Sequence, residues 1–124
     1  SSDTVKDATA FLETFFKLYP TATEKELAYY VKDGVLAPVS GDYVFSELVN
    51  PVFTKDGDNL KVSVSVKYLD NKSKMTQISQ YELVLHKDDN WKIVEQEKRL
   101  AVVETTHSKP KYHIKCISLH FFIS

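Results

Sequence analysis

Two glutamates are the first residues to test for an enzyme's acid and base. Glu47 and Glu82 both fall in β-rich stretches of this 124-residue chain. A catalytic carboxyl group needs an apolar pocket, which raises its pKa or keeps it protonated. Strand alternation places Glu82 on the face opposite Leu83 and Leu85, whereas Glu47 shares its parity with Tyr43 and is therefore ambiguous. We predict that both face solvent and that neither is catalytic.

His86 is the third candidate, because imidazole titrates near neutral pH and is a frequent general base. It stands at the end of a β-rich run, directly before the charged turn formed by residues 87–90 (KDDN). The sequence places neither a nucleophile nor a carboxylate to work with it, as a catalytic base requires. We interpret His86 as an outward polar residue at a strand end, and we expect that the protein is not an enzyme.

Three tyrosines are the candidates for a binding role. The adjacent Tyr29 and Tyr30 can line the mouth of a ligand pocket, with Tyr81 as a further member. A structural alternative for the pair is that one ring packs inward while the other stays at the surface, since a phenol is apolar with one polar tip. The sequence names no ligand for them. Trp91, by contrast, is predicted to be part of the core.

Potential metal ligands cluster near the C-terminus, at His107, His113, Cys116 and His120. Structural zinc sites usually include a close pair of cysteines, and this chain has one cysteine in total. His113 and Cys116 would share one face of a helix, but their segment is typical of a strand. We predict no metal site and no cofactor.

Charge divides the chain into two parts. Residues 1–97 carry 11 Lys/Arg and 16 Asp/Glu, a net charge of −5, whereas residues 98–124 carry 5 Lys/Arg and one acidic residue, a net charge of +4. Nucleic-acid binding needs a basic stripe that neutralises phosphates. The acidic body therefore argues against DNA or RNA as a direct partner of residues 1–97.

Length and hydropathy set the domain organisation. A chain of 124 residues fits one domain with a core of its own. No apolar run approaches the roughly 18 residues that span a bilayer, and the start Ser-Ser-Asp-Thr has no signal-peptide pattern. We expect a soluble piece of a longer protein.

The elements that position these residues begin with two helices. Apolar residues recur at helical spacing between Val5 and Leu18, with Thr4 as the predicted N-cap. Pro20 should end this helix, because the residue before a proline disfavours helical angles. A capping-box sequence at residues 23–26 (TEKE) then predicts a short second helix, ended by Gly34 in the left-handed conformation.

Four strands are predicted to follow. Residues 43–49 are β-rich but are interrupted by Asn50-Pro51, so this strand should lie at an edge or bend there. Residues 60–68 alternate strictly between apolar and polar, which is the clearest strand signal in the chain. A third strand over residues 75–86 needs a β-bulge between Ile78 and Tyr81 to keep both inward. Trp91 and Ile93 point inward from a fourth.

Residues 11–20 (FLETFFKLYP) and 23–30 (TEKELAYY) resemble the C-terminal domain of the conjugative-transposon TcpC family. The element order, ending in residues 83–93 (LVLHKDDNWKI), resembles the nuclear transport factor 2-like (cystatin-like) superfamily. The resemblance covers about residues 5–96. It implies an α+β cone: a long N-terminal helix and a short helix packed on a curved four-stranded antiparallel sheet.

The same resemblance implies a relation to inner-membrane assembly factors of type IV secretion systems. We therefore expect a non-enzymatic module of a bacterial conjugative DNA-transfer complex, acting through protein contacts with other conjugation proteins and with itself. A membrane-spanning helix absent from this chain would tether it to the extracytoplasmic face of the cell membrane. The alternative is a small-molecule-binding or enzymatic cone protein of the isomerase or dehydratase type.

The chain divides into a domain at residues 1–97 and a tail at residues 98–124. In the tail, apolar residues alternate from Ile117 to Ile123, and they would form an aggregation-prone edge if exposed. Two interpretations stay open: an additional strand, or residues foreign to the family domain, such as those from an altered reading frame. The core of the domain is predicted to consist of Leu12, Phe15, Phe16, Tyr30, Val62, Val64, Val66, Leu83, Leu85, Trp91 and Ile93.

Overall fold

Residues 2–97 are described by a computed structural model. The helices are α1 (Ser2–Leu18) and α2 (Glu24–Tyr30), separated by a 3₁₀ turn (Tyr19–Thr21). The strands are β1 (Tyr43–Asp56), β2 (Asn59–Asp70), β3 (Thr76–Lys87) and β4 (Trp91–Gln96). This confirms the predicted α+β class with two helices and a four-stranded antiparallel sheet. The tail at residues 98–124 and its candidate metal ligands lie outside the described residues.

Helix α1 buries the stripe that its apolar spacing predicts. Ala8, Leu12, Phe15 and Phe16 are all fully buried, and they lie three or four residues apart along one helical face. The helix begins at Ser2, earlier than predicted, so Thr4 lies inside its first turn rather than at the N-cap. Asp3 in that first turn is favourable, since the N-terminal end of a helix dipole is positive.

Pro20 ends α1 as predicted, and the hydroxyl of Tyr68 replaces the backbone hydrogen bond that the proline removes. In a continuing helix the Phe16 carbonyl would accept from the N–H of residue 20, and proline has none. The buried Tyr68 hydroxyl donates to the Phe16 carbonyl oxygen at 2.7 Å. Close by, the Tyr19 hydroxyl donates to the Ala37 carbonyl at 2.5 Å. The C-terminal end of α1 is thereby fixed to the sheet and to the following linker.

Helix α2 begins with the predicted capping box. The Thr23 hydroxyl accepts from the Glu26 N–H at 3.1 Å, and the Glu26 carboxylate accepts from the Thr23 N–H at 2.9 Å. The predicted ending was wrong: the helix stops at Tyr30, and Val31 is extended. Val31 pairs with Ile93 of β4 in an isolated parallel bridge. Gly34 does have a positive φ of 81°, but in the turn that follows this bridge.

The strands are ordered β1-β2-β3-β4, which makes β1 and β4 the edges. The edge position of β1 is confirmed, but Asn50-Pro51 does not end it, and the strand runs on to Asp56. Register shifts between Phe45 and Glu47 and between Val49 and Val52 absorb the irregularity, with Asn50 at φ 50°. The alternation of β2 is also confirmed, since its inward valines and Tyr68 are buried.

The β-bulge predicted in β3 is wrong. The pairing of β2 with β3 runs without a register shift from Asn59 opposite His86 to Leu69 opposite Thr76. Ile78 is opposite Lys67 on the outer face and is 58% exposed, so no odd residue needs to be accommodated. A register shift does occur where β3 pairs with β4, between Val84 and Leu85, and its extra residue lies in β4.

The core lies between the helices and one face of the sheet. Nine of the eleven predicted core residues are buried, but Tyr30 and Trp91 are only partly buried at its margin. Trp91 is the first residue of β4 and packs against the margin of the core, and its indole N–H bonds to the exposed Asp7 of α1. Among residues 2–97, no helix is long and apolar enough to cross a membrane.

Candidate functional site

A small pocket lies beside the N-terminal half of α1, where α1, the last residues of α2 and the turn between β3 and β4 meet. Its volume is about 220 Å³. We call it the aromatic groove, and it is lined by Asp7, Phe11, Tyr29, Tyr30, Lys87, Asp89, Asn90 and Trp91.

Three elements position the groove. Asp7 and Phe11 lie four residues apart on α1 and therefore face the same side of the helix. Tyr29 and Tyr30 are the last two residues of α2, and Trp91 opens β4 after the hairpin turn. The bridge between Val31 and Ile93 holds the end of α2 against β4, so the two elements meet at a fixed point.

The two adjacent tyrosines have different surroundings. Tyr30 is partly buried, with its ring centroid 6.0 Å from that of Phe11 and 5.9 Å from that of Phe15. The ring of Tyr29 stands almost perpendicular to that of Tyr30, at 5.3 Å and 80°, and Tyr29 is 66% exposed. One ring thus anchors the groove to the core, while the other presents an aromatic surface to solvent.

Tyr81, the third tyrosine singled out from the sequence, lies elsewhere. It is on the inner face of β3, and its ring centroid is 4.9 Å from that of Phe16. Burial raises the pKa of its hydroxyl. The structure therefore brings Tyr29 and Tyr30 together in the groove and leaves Tyr81 among the core aromatics.

A polar triad crosses one side of the groove. The Asp7 carboxylate accepts hydrogen bonds from the Lys87 ammonium at 2.6 Å and from the Trp91 indole N–H at 3.0 Å. The Lys87 nitrogen also lies 5.5 Å from the Trp91 ring centroid, in cation–π range. The hydrogen bonds from Lys87 and from Trp91 lower the pKa of Asp7. At neutral pH the triad holds a lysine between a carboxylate and an indole.

The hairpin turn adds a second carboxylate. Asp88 pairs with His86 at 3.1 Å, but no residue within 2–97 forms a hydrogen bond or ion pair with the exposed Asp89. The wall of the groove therefore contains two carboxylates, Asp7 and Asp89, and one ammonium group, Lys87. Because Lys87 is bonded to Asp7, the negative charge of Asp89 is not compensated within the groove.

The structure does not bring the three sequence-selected acid–base candidates together. Glu47 is exposed and pairs with Lys67 at 3.1 Å. The register shift between Phe45 and Glu47 resolves its ambiguous parity, because the extra residue turns Glu47 outward. Its exposure agrees with the prediction.

Glu82 and His86 also lie on the outer face of β3. The Glu82 carboxylate accepts from the Ser63 hydroxyl at 2.8 Å and from the Gln80 amide at 2.8 Å. The two ring nitrogens of His86 lie 2.7 Å from the Asn59 side-chain oxygen and 3.1 Å from an Asp88 oxygen. These are cross-strand and turn contacts, and they place no acid or base in an apolar pocket.

Metal chemistry has no support among the described residues. Within residues 2–97, no three histidine, cysteine, aspartate or glutamate side chains are grouped so as to hold an ion. His107, His113, Cys116 and His120 lie outside that range, so the prediction made for them stays a prediction.

A second exposed apolar area lies at the opposite end of the sheet. Four residues form it on and beside the outer face: Val44, Leu69, Met75 and Ile78, which are 36–66% exposed. Val44 pairs with Leu69, and Ile78 lies opposite Lys67, which puts them on the face away from the helices. We call this the sheet-end patch. It differs from the aromatic groove in having neither aromatic rings nor an acidic wall.

Most of the groove has only weak signals in the sequence. Asp7 falls within the first predicted helix, and Lys87 and Asp89 fall within a predicted turn, distant in the chain from Tyr29 and Tyr30. Two local patterns place charges beside aromatic rings: Trp91 follows an acidic turn, and Asp7 lies one helical turn before Phe11.

Comparisons with known proteins give one family. The family profile described as conjugative transposon protein TcpC matches residues 1–94, which include the helices and nearly all of the sheet. A search of curated proteins found no match.

Proposed function

The chain belongs to the conjugative transposon protein TcpC family, and from this membership we propose that it is a non-enzymatic assembly module of a bacterial conjugative DNA-transfer complex. In this proposal the domain acts through contacts with other proteins of the complex and with itself. The functional part of the molecule is then its surface rather than its interior.

The aromatic groove is the observation that carries the proposal. Tyrosine and tryptophan are enriched at the energetic centres of protein interfaces, because they bury large area with few rotatable bonds. Tyr29, Tyr30 and Trp91 are presented together at one surface, beside charged groups that can give specificity. An exposed aromatic ring such as that of Tyr29 contributes most to the binding free energy, because a partner that covers it removes a large apolar area from water.

The interior supports the same conclusion. The buried residues of the described range are hydrophobic, and none is charged. An enzyme of the isomerase or dehydratase type would need a carboxyl group in an apolar cavity, where desolvation raises its pKa. Asp7 is instead exposed, and its pKa is lowered by Lys87 and Trp91. These observations favour assembly over the enzymatic alternative.

We extend the proposal to location, fold family and partners. The domain would be held at the extracytoplasmic face of the cell membrane by a helix outside this chain, as in type IV secretion assembly factors. Tethering raises the effective concentration, so individually weak contacts suffice. The helix-then-meander order supports a nuclear transport factor 2-like cone, and the net charge of −5 in residues 1–97 supports protein rather than DNA partners.

Site-specific crosslinking in conjugating cells tests this proposal. A photoreactive amino acid replaces Tyr29 in the groove or, as a control, Lys72 in the turn at the far end of the sheet. We expect Tyr29 to yield crosslinks to other transfer proteins and Lys72 to yield few. Deletion of residues 5–96 should abolish mating, whereas Glu47→Gln and His86→Ala should leave the transfer frequency near that of the wild type.

Three results would overturn the proposal. One is normal transfer in cells that lack residues 5–96, with crosslinks among the remaining proteins unchanged. A second is turnover of a small molecule by the purified protein. A loss of transfer of a hundredfold or more in Glu47→Gln or His86→Ala, with the fold intact by circular dichroism, would likewise restore the catalytic interpretation.

A further inference from the structure

We propose that the aromatic groove binds the side chain of an arginine in a partner protein of the transfer complex. This inference rests on the proposed assembly function, since it names the chemistry that the groove recognises. Four observations carry it: the aromatic walls, the charge of the groove, its volume, and a cation of the protein itself that already uses the same contacts.

The walls suit a cation. Phe11, Tyr30 and Trp91 are partly buried, and Tyr29 stands beside them with 66% of its surface exposed. The face of an aromatic ring attracts a cation electrostatically, and several rings around one site add to this attraction. The rings of Tyr29 and Tyr30 lie 5.3 Å apart and almost perpendicular, and both residues line the groove.

The charge of the groove suits a cation as well. Lys87 is held by Asp7 at 2.6 Å, which neutralises that pair. Asp89 lines the groove, and no residue within 2–97 forms a hydrogen bond or ion pair with it. An incoming guanidinium group would meet Asp89 and the aromatic faces together, whereas an anionic group would meet an uncompensated carboxylate.

The volume of the groove suits a single side chain. The groove is open to solvent and holds about 220 Å³, below the roughly 300–1,000 Å³ that is usual for sites that hold drug-sized molecules. One long side chain at the tip of a protein segment fits this scale.

Lys87 is an internal example of the proposed chemistry. Its ammonium lies 5.5 Å from the centroid of the Trp91 ring and 2.6 Å from the Asp7 carboxylate. The ligand cation would repeat this arrangement with Tyr29 and Asp89. Arginine fits better than lysine, because its flat guanidinium stacks on rings and gives two parallel hydrogen bonds to one carboxylate.

Titration of the ¹⁵N-labelled full chain with N-acetyl-arginine amide tests the inference by NMR. Trp91 is the only tryptophan of the chain, so its indole N–H signal reports directly on the groove. N-acetyl-citrulline amide has nearly the same shape without the charge, and N-acetyl-leucine amide tests a purely apolar occupant. We expect saturable shifts of the Trp91 indole and of the Tyr29 and Tyr30 amides with arginine, and binding at least about fivefold weaker with citrulline.

Matched variants locate the contacts. Asp89→Asn and Tyr29→Ala should each weaken arginine binding by about two- to fivefold. Glu47→Gln removes the same charge on the outer face, and Met75→Ala removes a side chain with the same 66% exposure from the sheet-end patch. Both controls should bind arginine like the wild type.

Several results would overturn the inference. Equal binding of arginine and citrulline would exclude recognition of charge, and tighter binding of leucine would make the groove an apolar pocket. Shifts confined to residues outside the groove would place the arginine elsewhere. The proposed function is judged separately: if crosslinks from Tyr29 persist while arginine fails to bind, the groove contacts a partner by other chemistry, and only the arginine assignment falls.

Discussion

The two ends of helix α1 are stabilised in opposite ways. At the C-terminal end, Phe16 is fully buried and its carbonyl accepts the hydroxyl of the buried Tyr68. At the N-terminal half, Asp7 is exposed and accepts from Lys87 and Trp91 at the surface. One end is fixed by close packing and a buried hydrogen bond, the other by polar contacts in water.

This difference separates the contacts that stabilise the fold from those that we propose for recognition. Buried contacts contribute most of the free energy of folding, because apolar area is removed from water and polar groups find partners. Exposed ion pairs contribute little, since water and salt screen them. The C-terminal end should therefore determine the stability of the domain. The N-terminal half can keep its charges and rings available to a partner at a small energetic cost.

The largest expected effect on stability comes from truncating a buried side chain at the C-terminal end of α1. Phe16→Ala should lower the free energy of unfolding by about 3–5 kcal/mol, because it removes a buried ring and leaves a cavity. Trp91→Ala, beside the N-terminal half of α1, should lower it by about 1–3 kcal/mol, since Trp91 is only partly buried. Urea denaturation followed by circular dichroism measures both. An equal or greater loss for Trp91→Ala would invalidate the contrast between the two ends.

Removing the Tyr68 hydroxyl tests how much the buried hydrogen bond contributes at the C-terminal end of α1. Tyr68→Phe should destabilise the domain by about 1–3 kcal/mol, because the buried Phe16 carbonyl loses the hydroxyl that bonds it. Tyr29→Phe makes the same chemical change on an exposed ring and should alter stability by less than about 0.5 kcal/mol. If the two variants unfold at the same urea concentration, the hydrogen bond to Phe16 adds nothing beyond packing.

The smallest effect on stability is expected at Asp7, in the N-terminal half of α1, and it depends on pH. The pKa of Asp7 is lower in the folded protein than in the unfolded chain, so its contribution is present above the unfolded value of about 3.9 and is lost as pH falls through the folded pKa. Asp7→Asn should thus be less stable than the wild type at pH 7, and the difference should shrink as the pH falls below about 3.9 and through the lowered pKa of folded Asp7.

Urea melts across this pH range test the linkage. Lys87→Gln removes the partner and should reproduce the effect of Asp7→Asn, and the double variant should be no worse than either single one. High salt should reduce the difference at pH 7. A difference that stays constant from pH 7 to pH 2 would show that Asp7 acts through something other than its charge.

The regular elements could be predicted because their signals are local. The stripe from Ala8 to Phe16, the capping box at Thr23 and the alternation of β2 each lie within a few turns or one strand, and all are present in the structure. The error at Ile78 has a physical reason: an exposed isoleucine on the polar face looks like a core residue in sequence. Only a bulge would turn Ile78 inward together with Tyr81, which is why the sequence predicts one.

The aromatic groove could not be predicted from local patterns. Asp7 lies 80 residues from Lys87 and 84 from Trp91, yet the three side chains are bonded. Such contacts depend on where β4 lies relative to α1, and that follows from sheet order and from the bridge to Val31. Side-chain types made Tyr29 and Tyr30 candidates for a pocket mouth, which stays a prediction, whereas the charged part of the groove is defined only by the tertiary structure.

The irregular edge strand β1 has a consequence for the proposed action at high local density. Within residues 2–97 no strand pairs with the outer side of this 14-residue strand, and a regular edge of that length is a template for the same strand of a neighbouring copy and for fibril growth. Here Pro51 offers no N–H, Asn50 has a positive φ, and two register shifts divide the strand into short runs. In the proposed assembly, neighbouring copies would therefore stay separate folded units and would meet through side chains rather than by joining their backbones into a continuous sheet.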